Sequence, residues 1–454
     1  LQPPSVAGAT LAVAVDGAGE TNLPLAAIAP GAAAEACVVF DTSLRPATYR
    51  VRATVRLAGD PPWTGTEPFD VALVPRPPPF RMPVVMWGVY SPDGVLKELP
   101  RLKDLGFTHC LGLGADCGAI RKAGAVVPPG PEDRVALTKR MLNEALAQDF
   151  GILATLAPGA ELKNDPAAVR VNAKGAPQTN RPNTCALAPG LRDYCRNVGE
   201  SVARAYGAFP AFHGALLHTE VRDGAAPCFH EHDRAACRAA TGADIPEGVG
   251  KGGKKWDSIE GFPTNRIVPD DHPLLTYLRW YWKEGDGWNG LNSAMAEGFK
   301  AGGVRPDFWT FHDPAVRVAS TWGSGGAVDV LSQWTYSYPD PIRIGLATDE
   351  LFAMARGANP PQRVMKMTQV IWYRSQTAPA RAADTARAAA LTAWEDTDPD
   401  AAFLTISPMH LREALWCELA RPVQGVMYHG WQSLVPCEGG GSYQIGRASC
   451  RERV

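Results

Sequence analysis

The stretch 84–113, VVMWGVYSPDGVLKELPRLKDLGFTHCLGL, predicts a strand, a helix and a second strand in succession. Its apolar runs 84–90 and 109–113 are typical of buried strands. Between these runs, Val95, Leu99 and Leu102 recur at helical spacing and form one apolar stripe. This alternation of strand and helix indicates an α/β domain.

The same alternation continues through residues 79–440, which we predict to be one catalytic domain. Its strands are predicted at 84–90, 109–113, 152–156, 214–220, 307–312, 328–334, 364–372 and 424–428. The main helices are predicted at 95–105, 132–148, 190–208, 274–301, 342–358, 380–394 and 408–420, with an insertion over 224–272. Eight strands with intervening helices predict a closed (β/α)₈ TIM barrel. A doubly wound open sheet is the alternative, but no glycine-rich phosphate loop follows the first strand.

Residues 1–78 show a different pattern. Short strand-like runs stand at 11–15, 37–40, 49–56 and 69–74, and no helical period is present. The third run alternates polar and apolar residues, as a half-buried antiparallel strand does. We therefore predict a small all-β sandwich of immunoglobulin type that precedes the barrel, with a structural role because Trp63 is its one tryptophan.

Charge and hydropathy exclude two classes of partner. The chain has 454 residues, with 45 basic and 47 acidic side chains, for a net charge of −2. It therefore lacks the basic field that nucleic acids attract, and we predict no nucleic-acid partner. No apolar run approaches the roughly 18 residues that cross a bilayer, so we predict no membrane insertion.

The two ends of the sequence suggest a fragment. The chain begins with Leu1, which indicates a cut from a longer reading frame and hides any signal peptide. Residues 445–454, IGRASCRERV, resemble a translated sequencing adapter, and we predict a non-native tail there. A sandwich joined to a barrel suits polymer degradation outside the cytoplasm, so a periplasmic or extracellular location is favoured.

Aromatic and histidine side chains are concentrated at the predicted strand ends, where barrel enzymes place their active sites. Sugar rings pack their C–H faces on aromatic rings, and their hydroxyls need fixed polar partners. This composition predicts a carbohydrate substrate. The predicted substrate-binding residues are Trp87, Tyr90, His218, His312, Trp334, Tyr336, Trp372, His429 and Trp431.

Three carboxylates near these strand ends are candidates for acid–base chemistry. Glycosidic cleavage uses two carboxyl groups, one that protonates the leaving oxygen and one that attacks or activates water. We predict Glu220, after the fourth strand, as the proton donor. Asp313 after the fifth strand is the favoured second carboxylate, and Asp340 after the sixth is the other. A partner supplied by the substrate itself is a further possibility.

A metal-dependent reaction has weaker support in the sequence. His230 and His232 form an H-x-H pair, but it lies in the insertion, and we predict it to be a solvated loop. We therefore predict no metal and no cofactor. The nine cysteines before the tail contain no C-x-x-C pair, and we expect mostly buried free thiols. Loop disulfides are the alternative, joining Cys185 to Cys195 or Cys228 to Cys237.

Two stretches carry a resemblance to known enzymes. Residues 183–194, NTCALAPGLRDY, and 209–220, FPAFHGALLHTE, resemble the third helix and fourth strand of barrel glycoside hydrolases related to the family 42 β-galactosidases. Residues 411–431, LREALWCELARPVQGVMYHGW, are similar to their last helix and strand, and 228–234, CFHEHDR, to their cysteine-bearing loops. The resemblance implies that Glu220 occupies their acid/base position.

This chain departs from that pattern at two places. Thr219 stands where those enzymes have an asparagine, and residues 369–376 offer no carboxylate where they have a nucleophilic glutamate. The predicted function is hydrolysis of a glycosidic bond. A barrel that binds carbohydrate without cleaving it is one alternative, and a metal-dependent hydrolase is another.

Overall fold

The computed structural model divides the chain into two compact units, Leu1–Pro78 with Ala208–Pro210, and Pro79–Gly207 with Ala211–Val454. It describes residues 8–17, 19–38, 47–58, 62–73, 81–163, 165–178, 183–221, 227–246, 249, 267, 269–313, 324–335, 340–373 and 403–431. Within these ranges, no helix combines the length and the apolar character that crossing a bilayer requires.

The smaller unit contains one antiparallel sheet with the strand order β2–β1–β3–β4. Its strands are β1 Ala9–Val15, β2 Gly19–Pro24, β3 Ala47–Leu57 and β4 Trp63–Leu73. Val13, Val15 and Val51 pack together on one face, as the alternating pattern of the third run predicts. Antiparallel β structure is therefore confirmed. The described part of this unit shows no second sheet of the kind a sandwich needs.

Two details of this sheet differ from the prediction. The strand β2 was not predicted, because its sequence GETNLP is mostly polar and its residues are largely exposed. The run 37–40 was predicted as a strand, but residues 37 and 38 are outside any strand and 39–40 fall outside the described residues. Apolar character alone therefore does not predict which of these two segments forms a strand.

The larger unit is a closed barrel of eight parallel strands, which confirms the predicted fold class. The barrel strands are β5 Val84–Trp87, β6 His109–Leu113, β7 Gly151–Leu156, β8 Phe212–Leu217, β9 Trp309–His312, β10 Val330–Thr335, β11 Arg363–Gln369 and β14 Gly425–His429. Two further strands, β12 Ile371–Tyr373 and β13 Phe403–Thr405, form a separate antiparallel pair.

Helices connect the barrel strands. They are α1 Pro92–Asp104, α2 Cys117–Ala123, α3 Glu132–Ala147, α4 Leu191–Tyr206, α5 Glu231–Thr241, α6 Pro273–Trp280, α7 Trp288–Gly302, α8 Pro341–Arg356 and α9 Pro408–Leu419. The single helix predicted over 274–301 is two helices separated by a π-helical turn, Tyr281–Gly285. α2 and α5 were not predicted, and the predicted helix 380–394 lies outside the described residues.

Helix α1 shows how local sequence sets these elements. The Ser91 hydroxyl accepts a hydrogen bond from the Gly94 N–H, and Pro92 occupies the first turn, so the helix begins three residues before the predicted start at Val95. Val95, Leu99 and Leu102 are fully buried along one stripe. The apolar period therefore fixes which face of the helix meets the barrel.

The barrel interior is filled by side chains from every strand. Successive residues of a strand point to opposite faces, so alternate residues enter the barrel. The interior cluster consists of Val85, Trp87, Leu111, Leu153, Leu216, Phe311, Val330, Trp334, Met365, Met367 and Met427. Any site must therefore lie above this packed layer, at the carboxyl ends of the strands.

The end of β8 has unusual backbone geometry. The predicted strand 214–220 stops at Leu217, and His218 and Glu220 have φ values of 50° and 57°. This left-handed conformation costs a non-glycine residue about 1–2 kcal/mol. Glu220 therefore follows the strand in a strained turn.

A histidine pair, with His109 buried and His213 partly buried, lies at the opposite, amino-terminal end of the strands. His109 Nε2 is 2.8 Å from His213 Nδ1, and the Thr108 hydroxyl is 2.7 Å from His109 Nδ1. Burial lowers the pKa of His109 well below its ordinary value, and the charges of His213 and Arg81 lower it further. Protonation of His109 therefore opposes folding.

We expect this pair to make the protein sensitive to acid. A pKa lowered in the folded state gives stability that is present above about pH 6.5 and is lost as the pH falls. The free energy of unfolding should therefore fall by about 1 kcal/mol more in the wild type than in His109→Gln between pH 7.5 and 5.5. Urea unfolding at both pH values measures this difference. Equal losses in the two proteins would contradict the assignment to His109.

Candidate active site

Two predicted carboxylates follow neighbouring strands at the carboxyl-terminal face of the barrel. β8 and β9 are hydrogen-bonded to each other, and Asp313 comes directly after β9. Burial raises the pKa of Asp313, and the negative charge of Glu220 raises it further. The charge of Glu220 therefore acts on Asp313, and the role of the two as a catalytic pair stays a prediction.

Asp313 is completely buried. Burial raises the pKa of its carboxyl to about 7, although the nearby Ser332 hydroxyl and Lys366 ammonium group lower it. Neither carboxyl oxygen has a well-aligned hydrogen-bond partner among the described residues. A buried carboxylate with so little compensation is unfavourable, so Asp313 holds a proton below about pH 7.

Glu220 contrasts with Asp313 in its surroundings. Its side chain is exposed, so solvent or a bound molecule reaches it directly. The left-handed backbone at this residue is a departure from the relaxed geometry of a strand end. Such departures concentrate at functional sites, where the surrounding structure holds them in place.

His218, which belongs to this strained turn, is held in place by contacts inside the protein. It is fully buried, its Nε2 accepts a hydrogen bond from the Gly159 N–H at 3.1 Å, and its Nδ1 donates to Asn292 Oδ1 at 2.7 Å. Its ring packs on Trp288 with a centroid distance of 5.3 Å. Burial lowers the pKa of His218 to about 4, and the Asn292 contact partly offsets this. Both nitrogens of the neutral ring are engaged inside the protein.

His312 is also placed inside the protein. It is fully buried, and its Nδ1 donates to the Leu217 carbonyl oxygen at 2.9 Å. The neighbouring Phe311 points into the barrel interior, so alternation directs the His312 ring away from the interior. The bond to Leu217 ties the end of β9 to the end of β8.

The predicted aromatic residues differ widely in exposure. Trp87, Trp334 and Trp431 are 9%, 8% and 3% exposed, whereas Tyr90 is 49% exposed. The half-buried His429 ring lies 6.3 Å from the Trp87 ring, and burial lowers the pKa of His429 to about 4. Trp87 and Trp334 belong to the interior cluster, so they form the floor beneath the strand ends.

The remaining predicted site residues are less informative. Asp340 caps α8, because its Oδ1 accepts hydrogen bonds from the N–H groups of Ile342 at 3.0 Å and Arg343 at 3.4 Å. Its Oδ2 also lies 3.5 Å from the Arg343 guanidinium. Tyr336 and the side chain of Trp372 lie outside the described residues.

The seventh barrel strand ends in an amide. Gln369 is the last residue of β11, is fully buried, and follows the interior residue Met367 by two positions. Alternation therefore places Gln369 on the interior face of the barrel. An amide can position a ligand by hydrogen bonds, but it cannot act as an anionic nucleophile.

A second carboxyl pair was not predicted. Asp116 follows β6 and caps α2 through the Ala119 N–H at 2.8 Å, and Glu161 stands in a turn after β7. Burial raises the pKa of Glu161, and the charge of Asp116 raises it further. Asp116 and Glu161 follow the second and third barrel strands, whereas Glu220 and Asp313 follow the fourth and fifth.

Four potential metal ligands lie close together in the loops that follow β7 and β8. One ligand atom from each of Cys185, Cys228, His230 and Asp233 lies within 4.8 Å of the other three. The side chains of His230 and His232 are only 25% and 30% exposed. The prediction that they form a solvated loop is therefore wrong, and a metal-ligand cluster was not anticipated.

The spacing of this cluster suits a tetrahedral zinc ion. Cys228 Sγ is 3.1 Å from His230 Nδ1, Cys185 Sγ is 3.4 Å from Asp233 Oδ2, and that oxygen is 3.6 Å from His230 Nδ1. Tetrahedral Zn²⁺ with bonds of about 2.0–2.3 Å separates its ligands by about 3.3–3.8 Å. Two thiols, one imidazole and one carboxylate are ligands that zinc accepts.

The potential ligands differ in how firmly they hold a proton. A hydrogen bond from the Cys185 thiol lowers the pKa of Cys228 and raises the pKa of Cys185. Burial raises the pKa of Asp233 to about 8. Metals bind thiolates and carboxylates, so metal binding would release protons from Cys185 and Asp233. The eight described cysteines are free thiols, and neither alternative disulfide is formed.

Two solved structures align with most of this chain. A β-galactosidase from the haloarchaeon Halorubrum lacusprofundi aligns with a TM-score of 0.52 and 13% identity, over 81% of this chain and 55% of that one. A β-galactosidase from Rahnella sp. R3 aligns with a TM-score of 0.50 and 14% identity, over 78% and 51%.

These likenesses concern the fold. At such identities they show a shared barrel architecture, and this chain spans about half the length of either matched protein. No protein-family model matches the chain, and neither does any curated protein sequence.

Sequence reasoning missed two buried charged residues, Lys366, whose charge acts on Asp313, and Glu418, whose charge acts on Lys366. Lys366 is fully buried in β11, and Glu418 of α9 is 1% exposed. The available signal was a single lysine within the otherwise apolar run Val364–Met367. A charged residue is rarely buried without a partner, so this lysine indicated a buried acid.

Proposed function

We propose that this barrel hydrolyses glycosidic bonds with Glu220 and Asp313 as its two carboxyl groups. The observation that carries the proposal is a buried acid coupled to an exposed carboxylate on neighbouring strand ends. A buried carboxyl group with a raised pKa beside an exposed carboxyl group fits acid–base catalysis. The position at the carboxyl-terminal face of a barrel also fits an active site.

The environments of the two groups favour a specific assignment of roles, which reverses the one predicted from sequence. Asp313 has a pKa raised by burial to about 7, so it retains a proton to donate to the leaving oxygen. Glu220 is exposed, so it is the group that attacks the sugar or activates water. Because Asp313 is buried, the bound sugar or one water molecule must approach it to receive the proton.

The proposed chemical class of substrate is supported by the residues near the strand ends and by the fold of known barrels. Tyr90 is exposed three residues after the end of β5, and the Trp87 ring packs beside the His429 ring. An exposed aromatic ring that follows a barrel strand suits a sugar ring. Because the two matched structures are β-galactosidases, β-galactosides are the first substrates to test.

Hydrolysis of 4-nitrophenyl glycosides tests the proposal. The full chain should release nitrophenol from at least one member of a panel of α- and β-glycosides, with the β-galactoside tested first. Proton NMR of the released sugar then identifies the anomer and the stereochemical outcome. The proposal fails if the folded protein shows no turnover above the uncatalysed rate with any glycoside in the panel or with natural oligosaccharides.

One observation favours a second candidate function. The amide of Gln369 occupies the end of β11, where a carboxylate would permit a double displacement. A barrel that binds a glycan without cleaving it would tolerate an amide there. Glycan-array binding without turnover would support this alternative over hydrolysis.

A further inference from the structure

The last strand of the small sheet presents a row of residues on the apolar face of that sheet. β4 ends the strand order β2–β1–β3–β4, so one of its edges has no neighbour among the described strands. Residues that pair directly across antiparallel strands point to the same face, and Phe69 pairs with the buried Val51. Because side chains alternate along a strand, the same face includes Trp63, Gly65 and Glu67.

Trp63 lies along this face instead of projecting away from it. A Cβ atom built on Gly65 would stand only 2.4 Å from Cη2 of the Trp63 ring, so the ring occupies the space above that glycine. A glycine within a strand often marks a close approach of this kind. Trp63 is nevertheless 55% exposed, so much of its ring surface is accessible from solvent.

Phe69 and Glu67 continue the row. Phe69 is 46% exposed and follows Gly65 by four residues, which corresponds to about 13 Å along a strand. Glu67 is exposed and stands between them on the same face. Trp63, Glu67 and Phe69, the β4 row, therefore combine two accessible aromatic rings with a carboxylate between them.

The charge of Glu67 is not compensated by the sheet. Alternation places Asp70 and its partner Arg50 on the opposite face, where their side chains lie 2.9 Å apart, and Asp16 lies 2.8 Å from Arg52. Glu67 forms no ion pair with any residue that the structure describes. Its carboxylate is therefore available to a ligand.

These features suit a neutral glycan better than a protein partner. Sugar rings pack their C–H faces on aromatic rings, and sugar hydroxyls donate hydrogen bonds to carboxylates. Glutamate is depleted from protein interfaces, above all from their centres, whereas Glu67 occupies the centre of the β4 row. The carboxylate also disfavours acidic glycans, because like charges repel each other.

We propose that the β4 row binds an extended neutral glycan, with sugar rings on Trp63 and Phe69 and a sugar hydroxyl on Glu67. Sequence reasoning weighed Trp63 alone and predicted a structural role, whereas the strand register adds the other two residues. The glycan must be long enough to reach both rings, so a monosaccharide binds much more weakly. This binding requires no turnover by the barrel.

Fluorine-19 NMR of the full chain labelled with 5-fluorotryptophan tests the proposal. The Trp63 signal is assigned by its loss in Trp63→Phe. At least one of three neutral β-linked oligosaccharides, cellohexaose, mannohexaose and galactohexaose, should shift this signal in a saturable way. Glucose and hexagalacturonate should leave it in place at the same concentration. Because the signal reports on Trp63, glycan bound elsewhere on the chain does not enter the titration.

Variants of the β4 row then measure the contribution of each neighbour. Phe69→Ala should weaken the affinity read from the Trp63 signal by about 10-fold, because it removes a ring that a sugar covers. Glu67→Ala should weaken it by about 5-fold through the lost hydrogen bond. Trp416→Ala, at another exposed tryptophan on α9, is the matched control and should leave the titration unchanged. All these side chains are exposed, so we expect every variant to fold.

Three outcomes would overturn the proposal. The first is a Trp63 signal that none of the three oligosaccharides shifts. The second is equal affinity in the wild type, Phe69→Ala and Glu67→Ala. The third is a Trp63 signal that moves with protein concentration and not with glycan, which would assign the β4 row to contact between copies of the chain. Saturable binding here in a protein without turnover would uphold the glycan site and reject the proposed hydrolysis instead.

Discussion

Replacing Glu220 by glutamine is expected to lower kcat/KM for a cleavable glycoside by about 10³-fold. The amide keeps the shape of the side chain but can neither attack the sugar nor accept a proton from water. Asp313→Asn should cause a loss of similar size, because the amide has no acidic proton for the leaving oxygen. Initial rates with a glycoside of an unactivated alcohol measure both effects, because nitrophenolate leaves without a proton and would conceal the loss in Asp313→Asn.

The pH profile separates the two roles. Burial raises the pKa of Asp313 to about 7, so this acid is protonated below that pH and loses its proton above it. In the wild type, kcat/KM should therefore fall as the pH rises through about 7. The residual activity of Asp313→Asn should lack this fall. A decline that persists in Asp313→Asn would assign the proton donor to another group.

Two control variants test whether the loss of kcat/KM is specific to Glu220 and Asp313. Asp340→Asn keeps an oxygen that can cap α8, and Glu161→Gln alters another carboxyl group that follows a barrel strand. Both variants should retain activity within a few-fold of the wild type. If either loses as much as Glu220→Gln, the choice of catalytic carboxyls is wrong and the affected residue takes its place.

Zinc is expected to stabilise the reduced protein by about 4 kcal/mol when it is present at 1,000 times its dissociation constant. Cys185 comes from a different segment than Cys228, His230 and Asp233, so only the folded chain brings all four potential ligands together. Unfolding in guanidinium chloride, with zinc and with a chelator, measures the difference. Metal analysis after dialysis should give about one zinc per chain.

Variants of the ligands decide whether the effect arises at this cluster. Cys185→Ser and Cys228→Ser should lose most of the difference between zinc and chelator. Cys195→Ala removes a buried thiol outside the cluster and should keep that difference, even if it lowers the overall stability. An equal response to zinc in all four proteins would place the metal elsewhere.

The fold was predictable from sequence because its signals are local. Each barrel strand is a short apolar run, and stripes such as Val95, Leu99 and Leu102 identify the intervening helices. The polar strand β2 and the short helix α2 escaped prediction because neither has an apolar period of useful length. Their conformations depend on neighbours that only the folded chain supplies.

The site was predictable only in part. Strand-end position identified Glu220 and Asp313 as candidates, since parallel strands in a barrel deliver their carboxyl ends to one face. Which of the two is buried depends on the packing around β9 and β10, and sequence does not encode that directly. The burial of Lys366 and the Cys185 cluster likewise arise from contacts between distant segments.

The left-handed backbone at Glu220 has a consequence for engineering heat resistance. Glycine adopts a positive φ without the steric cost that glutamate bears, so selection for stability alone would favour Glu220→Gly by up to about 1 kcal/mol. Such a variant would also erase the exposed carboxylate. Libraries selected for survival at high temperature and libraries selected for turnover should therefore diverge at this residue, and the glutamate should persist only where chemistry is demanded.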